Sequence, residues 1–298
     1  MTHLLDLHHA GVPEAIGAYL LPTGGGAFAL VDPGPGATLP RLEAAIAEAG
    51  FELAGLAGVL VTHVHLDHAG AAGALARRTG ATVFAHPRAA PHLADPGRLL
   101  ASARRVYGAQ LDELWGPMEP VPAGQLRVVE DGEAFAVGGL RARAIAAPGH
   151  ANHQHAYALG DGRLHPGDAA AIRLPGVRTL LPATAPPEID LDAWGRTLDA
   201  FEAAAPDVLL LPHFGPKTDV GDHLARLRAA LDAWAQVART GIEAGEHDRA
   251  LADRLEAYLR AELAEEGVGA EAVARALRAA GPLMCAIGLR RALAPRKD

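Results

Sequence analysis

The stretch Val61-Thr62-His63-Val64-His65-Leu66-Asp67-His68 decides how this chain is read. It sets three histidines and one aspartate within six positions, directly after an apolar run that begins at Leu56. Chance produces such a pattern in about two in a thousand chains of this length and composition. In extended backbone, residues i and i+2 share a face, so His63 and His65 can grip one ion together. A helix starting near Asp67 then turns Asp67 and His68 toward a neighbouring point. Imidazole and carboxylate donors without a thiolate suit zinc, manganese or iron, and ligand softness does not choose among them.

The rest of the composition narrows the classes. The chain has 298 residues, 50% apolar and 21% charged, enough for a large core in one or two domains. That apolar content excludes a disordered chain. Cys285 stands alone, which excludes a disulfide scaffold and fits a reducing compartment. A net charge of −8 with 4% aromatic residues argues against a nucleic-acid partner. The opening Met1-Thr2-His3-Leu4-Leu5-Asp6 lacks the basic start and apolar run of a secretory signal. The longest uncharged stretch, Ala15 to Val31, is broken by Pro22 and Gly24-Gly25-Gly26 and makes no membrane span. The expectation is a soluble, cytoplasmic protein acting on a small molecule.

Periodicity predicts two mixed β/α halves. Short strands are expected at 16–21, 27–31, 56–61 and 82–85, with helices at 39–49 and 69–78. Two helical pieces should fill 87–110. Further strands are expected at 135–137, 140–146, 156–159 and 208–211, with a helix over 191–204. From Asp219 the period becomes helical: Leu224, Leu227, Leu231, Trp234 and Val237 form one apolar stripe. Two more stripes follow, Leu251 to Leu263 and Val273 to Ala279. Such a tail must bury its stripes, either over the mouth of a site or in a dimer contact.

Three further candidates close predicted strands or turns: Gly149-His150, Gly167-Asp168 and Pro212-His213. With the first cluster, the order HxHxDH, His, Asp, His over residues 16 to 218 resembles the metallo-β-lactamase superfamily. The resemblance implies a four-layer αβ/βα sandwich over 1–218, with 219–298 as a C-terminal helical appendage. It also implies two divalent metal ions, zinc foremost, with manganese or iron as alternatives. One ion would take His63, His65 and His150; the other Asp67, His68 and His213; Asp168 would bridge them. Asp67 and Asp168 are then also the catalytic carboxylates. The implied reaction is hydrolysis, with a metal-activated hydroxide attacking an ester, thioester or lactone carbonyl of a small substrate. The same metal pair serves phosphodiesterases and nucleases, and a related branch places one iron in a persulfide dioxygenase. An uninterrupted second ligand set speaks against that last branch.

Within the superfamily the chain looks like the hydroxyacylglutathione hydrolase (glyoxalase II) branch, which also carries helices after its last ligand. It departs from that branch after His150, where it reads Ala151-Asn152-His153-Gln154-His155. Asp32 and Thr62 are expected either to orient ligand rings from behind or merely to cap a turn and end a strand. His153 and His155 are expected as solvated loop residues, His86 and His165 as structural ones. Arg173 and Arg178 are expected to be solvated rather than to hold an anionic substrate group, Tyr157 to be a strand residue, and Cys285 to be buried packing.

Overall fold

A computed structural model of the chain describes residues 2–294. The first half builds a six-stranded sheet in the spatial order β1 (His3–Asp6), β2 (Gly17–Gly24), β3 (Ala27–Val31), β4 (Leu56–Leu60), β5 (Thr82–Ala85) and β6 (Leu126–Val128). The first three strands are antiparallel, and β3 to β6 run parallel. Parallel neighbours need crossovers. These contain α1 (Leu39–Glu48), then the single turn α2 (Leu66–Ala69) with α3 (Ala72–Thr79), then α4 (Ala90–Ala94), α5 (Gly97–Tyr107) and α6 (Leu111–Trp115).

The second half repeats the plan. Its sheet is ordered β7 (Ala134–Val137), β8 (Leu140–Ala146), β9 (His155–Leu159), β10 (Arg163–His165), β11 (Val208–Leu211) and β12 (Gly215–Lys217). Of its neighbouring strand pairs only β10 and β11 run parallel, and α7 (Leu191–Ala204) lies on the crossover between them. The tail forms α8 (Val220–Glu243), α9 (Asp248–Glu266), α10 (Ala270–Ala280) and α11 (Pro282–Leu293).

Strand alternation explains the layers. On β2 and β3, Ala18, Leu20, Phe28 and Leu30 face the helices of the first half. Their neighbours Tyr19, Leu21, Ala29 and Val31 face the other sheet and meet Ala142, Ala144, Tyr157 and Leu210 there. Leu209 and Leu211 turn outward onto Trp194 and Phe201 of α7 and Leu224 and Leu227 of α8. The result is helices, sheet, sheet, helices: the expected αβ/βα sandwich.

Four short strands escaped the periodicity. β10 and β12 span three residues each, too few for a pattern, and β12 carries Pro216, which an edge strand tolerates. Residues 282–293, which no stripe announced, form α11 with Pro282 in its first turn. No single helix among the described residues is long and apolar enough to cross a membrane.

The tail does not pack only on itself. Leu174, Val177 and Leu181, from the loop before α7, share a core with Trp234, Leu255, Leu259 and Leu289 of the tail. The tightest approach is at Gly288 on α11, where a Cβ would lie 1.8 Å from the Thr184 carbonyl oxygen and 3.0 Å from Ala185. Gly288→Ala is therefore expected to lift α11 off residues 184–186 at a cost of about 1–3 kcal/mol, lowering the melting temperature by a few degrees. A melting curve identical to that of the parent would contradict this backbone-to-backbone packing.

Candidate metal centre

The sheets deliver all the candidate ligands to one edge. β3 and β4 are parallel, and so are β8, β10 and β11, because β8 and β10 are each antiparallel to β9. Asp32 follows β3, the cluster from His63 to His68 follows β4, and His150, Asp168 and His213 follow β8, β10 and β11. Gly149 makes the His150 turn possible: its φ is +136°, and a Cβ there would meet the Trp194 side chain at 2.5 Å. The same tryptophan donates from Nε1 to the Ala169 carbonyl at 2.8 Å and steadies the turn that carries Asp168.

Four rings are held in one tautomer. His150 Nδ1 donates to the Ala183 carbonyl at 2.6 Å, and His213 Nδ1 to the Ala15 carbonyl at 2.8 Å. His68 Nδ1 donates to Asp32 Oδ2 at 2.9 Å. The Thr62 hydroxyl gives its hydrogen to Asp32 Oδ2 at 2.7 Å, so it accepts from His63 Nδ1 at 3.0 Å. A carbonyl or carboxylate only accepts, so each Nδ1 keeps its proton and each Nε2 is the nitrogen left to face the centre and a cation there. Asp32 and Thr62 thus hold the rings of the candidate ligands His68 and His63 from behind, the first of the two alternatives. Asp32 also accepts from the Thr62 amide at 2.8 Å and is 1% exposed.

The freed nitrogens converge. His65 Nδ1 lies 3.0 Å from His63 Nε2 and 2.9 Å from His150 Nε2. Asp67 Oδ2 lies 3.5 Å from His68 Nε2 and 3.6 Å from His213 Nε2. Asp168 sits between the two groups, with Oδ1 3.2 Å from His68 Nε2 and 3.4 Å from His213 Nε2, and Oδ2 3.5 Å from His150 Nε2. Two triads, His63–His65–His150 and Asp67–His68–His213, each bring one donor atom per residue within 4.8 Å of the others. All seven residues singled out from the sequence are therefore in one place.

The electrostatics fit a cation. Burial drives His63 well below the ordinary imidazole range and His65 down to about 3, with neighbouring rings adding to the effect. Burial also opposes charge on His68, but Asp168, Asp67 and Asp32 outweigh it and hold that ring well above its ordinary value. His213 is raised against burial by Asp168. Burial would raise both Asp67 and Asp168, yet the facing imidazoles keep them low. Asp168 Oδ1 is buried without a hydrogen-bond partner. Carboxylates that favour positive charge on His68 and His213, and a buried carboxylate oxygen without a hydrogen-bond partner, suit a shared positive ion.

A sequence model of the metallo-beta-lactamase superfamily matches residues 13–213. The chain belongs to that superfamily. The metallo-beta-lactamase fold-containing protein ST1585 of Sulfurisphaera tokodaii is 32% identical over 161 residues, which span 53% of this chain and 60% of that protein. The crystal structure of ST1585 from Sulfolobus tokodaii matches with a TM-score of 0.60 and 26% identity over 76% of this chain and 85% of that one. TTHA1429 from Thermus thermophilus, a metallo-beta-lactamase family protein, matches with a TM-score of 0.69 over 98% of this chain and 92% of its own. At 23% identity this last likeness concerns the fold alone, and it extends through the C-terminal helices.

Several surroundings of the superfamily site differ from expectation. His153 and His155 are not solvated: they are 7% and 0% exposed. His155 opens β9 and packs on His86 with ring centroids 4.5 Å apart. His153 stands beside the centre, its ring 5.7 Å from that of His65, and burial pushes it down to about 2. A period-2 reading starting one residue earlier finds His155 in the strand, but nothing local places His153. Arg173 is tied to Asp219 at 2.8 Å with a largely covered side chain, whereas Arg178 is exposed as expected. Tyr157 lies in its strand and donates to the Val61 carbonyl at 2.8 Å. His165 is fully buried, and Cys285 is buried in packing.

A cavity of about 660 Å³ opens from the cluster, within the span of about 300–1,000 Å³ usual for small-molecule sites. Residues 9–16, α5, residues 183–188, α10 and the start of α11 wall it. The tail therefore covers the mouth of the site.

Proposed function

We propose that this protein is a dinuclear metal-dependent hydrolase of the glyoxalase II-like kind, cleaving an ester, thioester or lactone of a small substrate. The observation that carries the reading is the pinned tautomer set: four rings present Nε2 and His65 presents Nδ1, around two carboxylates with little other company. His63, His65 and His150 would hold one ion, Asp67, His68 and His213 the other, with Asp168 facing both. Two divalent ions, zinc foremost, would there lower the pKa of a water and polarise the substrate carbonyl. Asp67, its side chain 24% exposed and on the cavity wall, is placed to take a proton from an attacking water. His153, on the same wall with an unpartnered Nδ1, is placed to orient the substrate.

The phosphodiesterase reading uses the same ligands, and the acidic chain makes it the weaker one. A panel of thioesters, aryl esters, lactones and phosphodiesters separates them. With zinc or manganese restored, carbonyl substrates should turn over, and a chelator should abolish the activity until metal is added back. Turnover of phosphodiesters alone would overturn the acyl assignment, as would oxygen consumption with a persulfide.

A further inference from the structure

The cavity has an apolar middle and a cationic rim. Its floor is the buried cluster, with His150 and Asp168 3% and 6% exposed. Its mouth leaves Val12 and Val106 exposed at 38% and 51%. Between them lie Leu99 and Ala103 of α5, the Tyr107 ring, and Trp115, whose buried Nε1 has no partner.

The charges on the wall do not cancel at the rim. Asp67 and Asp168 belong to the cluster, Glu188 accepts from the Asn152 amide at 3.1 Å, and Glu14 pairs with Arg275 at 3.0 Å. That accounts for every lining carboxylate. Arg98 on α5 and Arg278 on α10 also line the cavity, and neither makes an ion pair or side-chain hydrogen bond with another described residue. One comes from the sandwich and the other from the tail, and both are exposed. A guanidinium presents a planar fork of donors suited to carboxylate, phosphate or sulfonate oxygens.

We propose that the substrate is an amphipathic anion, an acyl derivative whose apolar segment joins the reacting carbonyl to an anionic group held by Arg98 and Arg278. This rests on the hydrolase reading above. It also gives the tail a task, since α10 supplies half of the anion contact.

The metal-loaded protein is titrated calorimetrically with octane-1-sulfonate, butane-1-sulfonate and octylammonium, probes that lack a carboxylate to chelate an ion. Each fully buried methylene is worth roughly fourfold in affinity, so octane-1-sulfonate should bind one per chain, at least about tenfold tighter than butane-1-sulfonate. Octylammonium should bind at least about tenfold more weakly. Arg98→Gln/Arg278→Gln should weaken octane-1-sulfonate by about tenfold, the scale of two exposed charge-assisted contacts. Both substitutions lie on exposed helix positions, and melting curves check the fold. Absence of sulfonate binding, equal binding of octylammonium, or an unchanged affinity in the double variant would overturn the proposal. If sulfonate binds as expected while no carbonyl substrate is cleaved, the hydrolase reading fails and the amphipathic-anion site stands. If thioesters are cleaved but the arginines do not matter, this inference alone fails.

Discussion

Asp168→Asn is expected to cost the protein at least one of the two ions proposed above and to lower the proposed hydrolysis by a factor of about 10²–10⁴. The substitution keeps the shape and removes the charge. Asp168 faces both triads, with one oxygen toward His68 and His213 and the other toward His150. Its Oδ1 is buried and has no hydrogen-bond partner, so no neighbour compensates when it is lost. An amide would bring two N–H donors among lone pairs that are themselves held for a cation, and an amide oxygen bridges two cations poorly. Elemental analysis and turnover on the best substrate of the panel read the outcome together. Two ions retained with near-parent turnover would show that Asp168 is not shared.

Asp32→Asn should loosen the ion proposed at Asp67, His68 and His213 by about 10–100-fold in affinity without touching either triad directly. Asparagine tolerates the left-handed backbone of Asp32, whose φ is +49°, so the change isolates the charge and the direction of its hydrogen bonds. If Oδ1 keeps accepting from the Thr62 amide, the new NH₂ points at the Thr62 hydroxyl and at His68 Nδ1. His68 must then accept through Nδ1 and carry its proton on Nε2, the nitrogen that faces Asp67 and Asp168. The Thr62 hydroxyl, now an acceptor from the amide, turns its hydrogen toward His63 Nδ1 and disturbs that ring as well. Competition with a graded chelator measures the affinity. An unchanged second affinity would mean that the tautomer of His68 does not depend on Asp32.

The seven residues that converge in the candidate site were legible in the sequence because the chemistry is dense there. His63, His65, Asp67 and His68 fall together within one strand-to-helix turn, and His150, Asp168 and His213 each follow a recognisable apolar run or glycine turn. The sandwich was legible for a similar reason, since runs such as Leu56 to Val61 and Val208 to Leu211 are buried on both faces and read as strands. The walls of the cavity were not. Arg98 and Arg278 lie 180 positions apart, on helices whose apolar stripes predict burial but not what the polar flank meets. Arg173, in the loop after Asp168, read as a solvated arginine, and the fold instead covers its side chain and ties it to Asp219. His153 and His155 looked like loop residues because short polar runs carry no sign of which tertiary surface will close over them. The role of the tail was undecided for the same reason: amphipathic stripes state that a face is buried and leave the partner open.

The count of metal ions tests the central claim most directly. Protein stripped with a chelator, reloaded with zinc or manganese, freed of excess ion and analysed by mass spectrometry of the elements should hold two ions per chain. His63→Ala should leave the His68 site measurable and remove the other ion first. One ion per chain in the parent after reloading, with Asp67, His68 and His213 unable to retain a second, would contradict the dinuclear account.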